Sequence, residues 1–244
     1  MAGKLYLGLP GEVRVVDFSE KEPSAREFFS AKRTDKKDSR KTIDAFARCG
    51  ELVVAIDDVV WPKYAYIFGT DKTGLTTVHE ADLPMHANTQ YYEAVGDGTR
   101  MALLAQFSHR GGSGSIVEFF EVGAKSLEEK LTKVEYVPRD EKQSPSLLAG
   151  DDFSSLNGMA FIDGALLVGA GERGILTIPT DVFRKPSLTA TKGNCTDILL
   201  KDGRLFALVH NGVNVELVEY ALAQDTLKET TRLKLEGLPA RFAR

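Results

Sequence analysis

Two adjacent carboxylates, Asp57 and Asp58, stand just before Val59-Val60-Trp61-Pro62. Further along come His86 and Asn88, then His109-Arg110, Glu172-Arg173 and His210-Asn211. Carboxylates held roughly 5–10 Å apart serve acid–base hydrolysis, and Asp44, Asp57, Asp58, Glu172 and Asp197 are the available set. A metal held by His86, His109 and His210 would need donors at about 2 Å from the ion. The sequence has no CxxC or HExxH spacing, so no metal is expected. His109-Arg110-Gly111-Gly112-Ser113-Gly114 has the composition of a phosphate-cradling loop but lacks the Lys-Ser/Thr ending and the helix that follows one. Gly169-Ala170-Gly171-Glu172-Arg173-Gly174 echoes a dinucleotide fingerprint but leads into a strand-like run, where no helix N-terminus would meet a phosphate. No cofactor and no catalytic residue is assigned. Asp57-Asp58 also fits a turn cap, whose side chains bond nearby backbone N–H groups. Trp61 beside Pro62 fits either an exposed partner anchor or a ring packed under a rim.

The elements that position these residues repeat. A small apolar core follows a glycine five times: Gly3-Lys4-Leu5, Gly50-Glu51-Leu52, Gly98-Thr99-Arg100-Met101, Gly164-Ala165-Leu166 and Gly203-Arg204-Leu205. Successive spacings lie near the roughly 40–50 residues of one four-stranded propeller blade. The interval from Met101 to Leu166 is longer by about 20. Ala45-Phe46-Ala47-Arg48 precedes the second unit, and its likeness, Arg241-Phe242-Ala243-Arg244, stands at the other terminus. A repeat that starts at one end and finishes at the other implies a ring. Short β-rich runs separated by Gly, Asp, Asn and Pro fill the rest. Leu52-Val53-Val54-Ala55-Ile56 reads as a strand buried on both faces, and Glu216-Leu217-Val218-Glu219-Tyr220 as an outer strand with one wet face. Residues 125–130 are the best helical candidate.

This pattern resembles a β-propeller over the whole chain. The expected fold is all-β: a single domain of five four-stranded blades, closed by a C-terminal inner strand pairing with the N-terminal blade. The blades are expected at 240–244 with 1–33, 42–84, 88–138, 154–192 and 194–238, with an insertion at 139–153. A six-bladed ring is the alternative if the long interval hides a further blade. The resemblance carries no family motif: Trp61 is the only tryptophan, so no Trp-Asp repeat exists, and no kelch Gly-Gly signature recurs. Asn157-Gly158-Met159-Ala160-Phe161 resembles an NHL or gluconolactonase-type blade, but occurs once.

In such a fold the loops after the second strand and before the next blade share one face. The candidate binding residues there are Asp57, Asp58, Trp61, His86, Asn88, His109, Arg110, Glu172, Arg173, His210 and Asn211. They differ from blade to blade, as specialised loops do. A net charge of −4 argues against non-specific nucleic-acid binding. No apolar run reaches the roughly 18 residues of a membrane span. Cys49 and Cys195 sit at non-equivalent repeat positions, so no disulfide is expected. With no secretory pattern at the start, a cytoplasmic location is expected. The reading is a non-catalytic protein-interaction scaffold whose partner is another protein. The alternatives are a hydrolase of glycosides or phosphoesters, using channel-mouth carboxylates, and a small-ligand or sugar-binding propeller.

Overall fold

A computed structural model describes residues 4–9, 12–22, 24–30, 43–57, 63–71, 74–83, 89–109, 112–136, 156–162, 164–180, 186–223, 226–236 and 242. Five antiparallel sheets are seen among them. The first has three strands in the order β1 (Lys4–Leu9), β2 (Glu12–Asp17) and β3 (Ala25–Ser30). The second runs β4 (Ile43–Cys49), β5 (Leu52–Asp57), β6 (Tyr64–Asp71) and β7 (Gly74–Asp82). The third runs β8 (Thr89–Asp97), β9 (Arg100–His109), β10 (Gly112–Gly123) and β11 (Ser126–Tyr136). The fourth comprises β12 (Leu156–Ile162), β13 (Ala165–Ala170), β14 (Ile175–Pro179) and β15 (Ser187–Thr189). The fifth comprises β16 (Asn194–Lys201), β17 (Arg204–Asn211), β18 (Asn214–Ala223) and β19 (Thr226–Leu235). Each is a meander in which sequence neighbours pair.

The chain divides into two compact units. The first holds the first two sheets and most of the third. Its inner strands lie side by side, β1 along β4 and β4 along β8. An aromatic group fills the space between the first two sheets. Phe29 meets Tyr66 with ring centroids 4.7 Å apart, and Phe28 meets Phe68 at 5.6 Å. The N–H of Leu75 donates to the Tyr6 hydroxyl at 3.0 Å, so the ring's polar tip is satisfied at the edge of that core. The second unit holds the fourth and fifth sheets, with β12 packed along β16. Ile175, Cys195, Ile198, Ala207, Val209 and Val218 form the centre of its core.

The repeat is legible in the hairpins. Gly50, Gly98, Gly164 and Gly203 each sit in the turn between first and second strands, all with positive φ. In the fifth sheet both central residues do so, Asp202 at 51° and Gly203 at 71°, the conformation that matches the twist of paired strands. The glycine occupies the first central position in the second and third sheets, and the second in the fourth and fifth. The residue equivalent to Met101, Leu166 and Leu205 is therefore Val53, not Leu52, which corrects the repeat register by one.

A second recurring device lies deeper in each sheet. The pairing of first and second strands slips by one residue at Asp44, Tyr92, Gly158 and Thr196. These are β-bulges, which leave one residue unpaired and sharpen the local twist. Counted from the hairpin, the bulge follows five residue pairs in the second, third and fifth sheets and four in the fourth.

One further expectation changes. Residues 125–130 are not helical: β10 ends at Gly123, Ala124 and Lys125 form the turn, and β11 begins at Ser126. Residues 126–130 belong to the last strand of the third sheet. The expected inner strand at 240–244 lies outside the described residues, except for Phe242. The first sheet shows three strands among the described residues, and Leu5 on β1 is 46% exposed where Val53, Met101, Leu166 and Leu205 are buried.

Candidate functional site

At one end of the second unit, backbone pairing brings two predicted loop pairs together. The turn after β13 is Gly171-Glu172-Arg173-Gly174. It is closed by Arg173 N–H to the Ala170 carbonyl at 3.1 Å, Gly174 N–H to the Gly171 carbonyl at 3.1 Å, and Ala170 N–H to the Gly174 carbonyl at 2.7 Å. The Cys195 N–H then donates to the Gly171 carbonyl at 2.8 Å. Cys195 pairs with Val209, and Asn194 with His210. Glu172-Arg173 and His210-Asn211 therefore share one level at the ends of adjacent sheets. Close approach holds them there. A Cβ on Gly174 would lie 2.0 Å from the Thr189 carbonyl oxygen, and one on Gly193 would lie 2.8 Å from that of His210.

What these turns display differs in kind. Glu172 and Asn211 are exposed, and Arg173 and His210 are half-buried. The Nε2 of His210 is buried with no hydrogen-bond partner among the described residues. Val213, at the tip of the turn between β17 and β18, is 86% exposed. Lys192, in the connection leading into β16, holds a left-handed conformation with φ of 57°. Just before it, Thr191 is buried, and its carbonyl accepts from Arg232 Nη2 at 3.0 Å. Arg232 also grips Glu229 through Nε and Nη2, both at 2.9 Å, and donates to Glu216 through Nη1. These carboxylates raise the guanidinium pKa further above its ordinary value.

In the first unit, Asp57 closes the pairing of β5 with β4 and β6, opposite Ile43 and Tyr64. It is 1% exposed. The positions that pair at the same bulge in the other sheets are Ala105, Gly169 and Val209. Asp57 thus puts a carboxylate where the repeat otherwise places a small or apolar side chain. His109 ends β9, and its side chain lies outside the described residues. Asp58, Trp61, His86, Asn88 and Arg110 lie outside them entirely.

Asp197, one of the possible acid–base carboxylates, is engaged. Its Oδ1 accepts from Ile198 N–H at 2.9 Å and its Oδ2 from Phe242 N–H at 2.8 Å. The cysteines are no nucleophiles either. Both are buried free thiols, and burial pushes each pKa up to about 12. Among the described residues no group of three or more His, Cys, Asp or Glu could hold a metal ion, and no helix is long and apolar enough to cross a membrane.

The first unit also holds a buried polar pair outside these candidates. The Tyr91 hydroxyl donates to Glu118, which is fully buried on β10, and Lys63 Nζ stands 5.1 Å from the centroid of the Tyr91 ring. The signal was a charged residue inside the apolar run Ile116-Val117-Glu118-Phe119-Phe120.

No family model matches the sequence, nor does any curated protein. Solved structures do match. The β-propeller domain of Cps50 (Swd1) from Myceliophteria thermophila is 12% identical with a TM-score of 0.53, covering 95% of this chain and 69% of that one. Sqt1 of Chaetomium thermophilum is 12% identical with a TM-score of 0.54, covering 95% and 56%. A candidate 6-phosphogluconolactonase of Bacteroides uniformis is 10% identical with a TM-score of 0.58, covering 95% and 68%. The chain thus spans between about half and about two thirds of the length of its structural neighbours. At this identity the likeness is one of fold, and with the five meander sheets it gives the chain a β-propeller fold.

Proposed function

We propose that the chain is a five-bladed propeller that acts as a protein-interaction module through the loop face at the ends of its second strands. The observation that carries this reading is the paired turns 171–174 and 211–214. The first is fixed by hydrogen bonds and the close contact of Gly174, and the second closes the pairing of β17 with β18 just after His210, while their tips offer a carboxylate, a guanidinium, an amide and the exposed Val213. Fixed backbone with varied side chains suits recognition, because little conformational entropy is lost on binding. An exposed apolar residue with a polar surround is the usual centre of such a contact. Asp58, Trp61, His86, Asn88, His109 and Arg110 belong to the same proposed face. Ring closure by residues 240–244 completes the proposal.

The test is quantitative cross-linking and mass spectrometry from native extract, with the tag inserted near residue 36. The reading requires a stoichiometric partner that is lost on Val213→Asp with Arg173→Glu and kept on the control Leu188→Asp. Hydrolysis of a glycoside or phosphoester that disappears on Asp57→Asn, with no partner captured, would replace it with the hydrolase reading.

A further inference from the structure

The fifth sheet ends on β19, an outer strand of 10 residues. It pairs with β18 along its whole length, and no described strand pairs with its other side. Most of it is exposed, and Leu233 is 56% exposed. An outer strand of this length invites another strand unless it is guarded, and β19 carries two of the usual guards, lysines and a bulge. Both fall where a second copy of the same strand matches them.

The register with β18 sorts the side chains by face. Leu227, Glu229, Arg232 and Lys234 share one face, and Lys228, Thr231, Leu233 and Leu235 share the other. Thr230 is the extra residue of the bulge, which is why Glu229 and Arg232 lie on the same face. A second β19 laid antiparallel to the first, about a twofold axis at Thr231, sets Thr231 against its own copy. Glu229 then meets Arg232, Lys228 meets Leu233 and Leu227 meets Lys234, each pair on one face. Threonine pairs and opposite charges are favourable across strands, and the stem of Lys228 covers the exposed leucine. Moving the axis one place sets Glu229 against Glu229 or Arg232 against Arg232. Moving it two places sets Lys228 against Lys228 or Arg232 against Lys234. Like charges directly opposite are destabilising, so among these registers the strand matches itself only at Thr231.

We propose that β19 is a self-association strand, through which two copies of this chain join as an antiparallel, twofold extension of the fifth sheet with Thr231 on the axis. The partner is a second copy because the order of charges complements its own reverse. With 10 residues a side, the contact has under half the roughly 20–30 of a standard interface, so the dimer belongs to the weak class. This does not depend on the loop-face reading.

Two measurements on the full chain test it. Sedimentation velocity from about 1 μM to about 1 mM spans the weak range and should show a monomer–dimer equilibrium. Leu233→Lys, which sets a lysine opposite Lys228, should weaken the dimer about tenfold, and adding Lys228→Glu should restore it. The second measurement reads the register. Across the axis the two residues 231 have Cβ atoms about 4.5–5.5 Å apart, close enough for a disulfide. Thr231→Cys oxidised with copper phenanthroline should therefore give a covalent dimer, whereas Thr226→Cys, which meets Leu235, should not. A chain monomeric throughout, a dimer indifferent to Leu233→Lys or not restored by Lys228→Glu, or cross-linking at 226 as readily as at 231 overturns the proposal. If a cysteine variant fails to fold, the exposed Leu233 and Lys228 variants decide alone.

Discussion

Gly158 and Asp197 stand so close that no side chain fits between them. The nearest carboxylate oxygen would be 2.3 Å from any Cβ at position 158, and the glycine has a φ of 70°. Both facts forbid an L side chain, one by contact and one by backbone conformation. Gly158→Ala should cost about 2–4 kcal/mol of stability, by analogy with strained and overpacked sites. Urea unfolding checks this. Gly203→Ala has the positive φ but open space around it, so it should cost only about 1 kcal/mol.

The Tyr91 hydroxyl is a donor to a carboxylate that has no exposure. Tyr91→Phe keeps the ring and removes that donor. The expected loss is about 1–3 kcal/mol, read from chemical denaturation. An unchanged midpoint would show that Glu118 is satisfied without the phenol.

Stability should fall on the alkaline side. Burial lifts the Cys49 and Cys195 thiols from an ordinary 9.0 to about 12, with the charges of Asp97 and Asp197 adding to the two respectively. Burial likewise lifts Tyr220 from 10.0 to about 12, helped by Glu229. The unfolded chain releases these protons first, so the unfolded state gains as pH rises. Stability is complete below about pH 9 and is lost between there and about pH 12. Each thiol contributes a slope approaching about 1.4 kcal/mol per pH unit above 9. Serine does not ionise in this range, so Cys195→Ser should flatten the curve by about half between pH 9 and 10. Denaturation midpoints across pH 7–10 provide the comparison.

Arg232 joins β19 to β18 through Glu216 and to the connection before β16 through the Thr191 carbonyl. Lysine keeps the charge but cannot fork between two carboxylates and a carbonyl. Arg232→Lys should cost about 1–2 kcal/mol, a modest figure because the group is part-exposed and solvent screens it. The same substitution should speed amide exchange in β19 more than in β17. Uniform exchange across the fifth sheet would mean that the clamp holds nothing local.

The meander of sheets was legible because glycine marks each inner hairpin, and Gly50, Gly98, Gly164 and Gly203 all prove to carry positive φ. The one-residue slip at Leu52 had a physical cause: a two-residue turn accepts glycine at either central position, so the glycine dates the turn but not its register. The bulges left no trace in the letters. Asp44, Tyr92, Gly158 and Thr196 share a backbone irregularity and no side-chain chemistry. The ends of the second strands, where Glu172, Arg173, His210 and Asn211 stand, were legible by counting along the repeat from each hairpin glycine. The burial of Asp57 was not, because a carboxylate at a strand end reads as a turn cap. The engagement of Asp197 joins residues 45 positions apart, a distance over which periodicity says nothing.

The Phe242–Asp197 bond also sets a path for mechanical load. Tension applied at the C-terminal end passes through residue 242 into β16 before it reaches the outer strand β19. One bond therefore decides at which edge of the fifth sheet a pull is felt: with it the load enters at β16, and without it at β19.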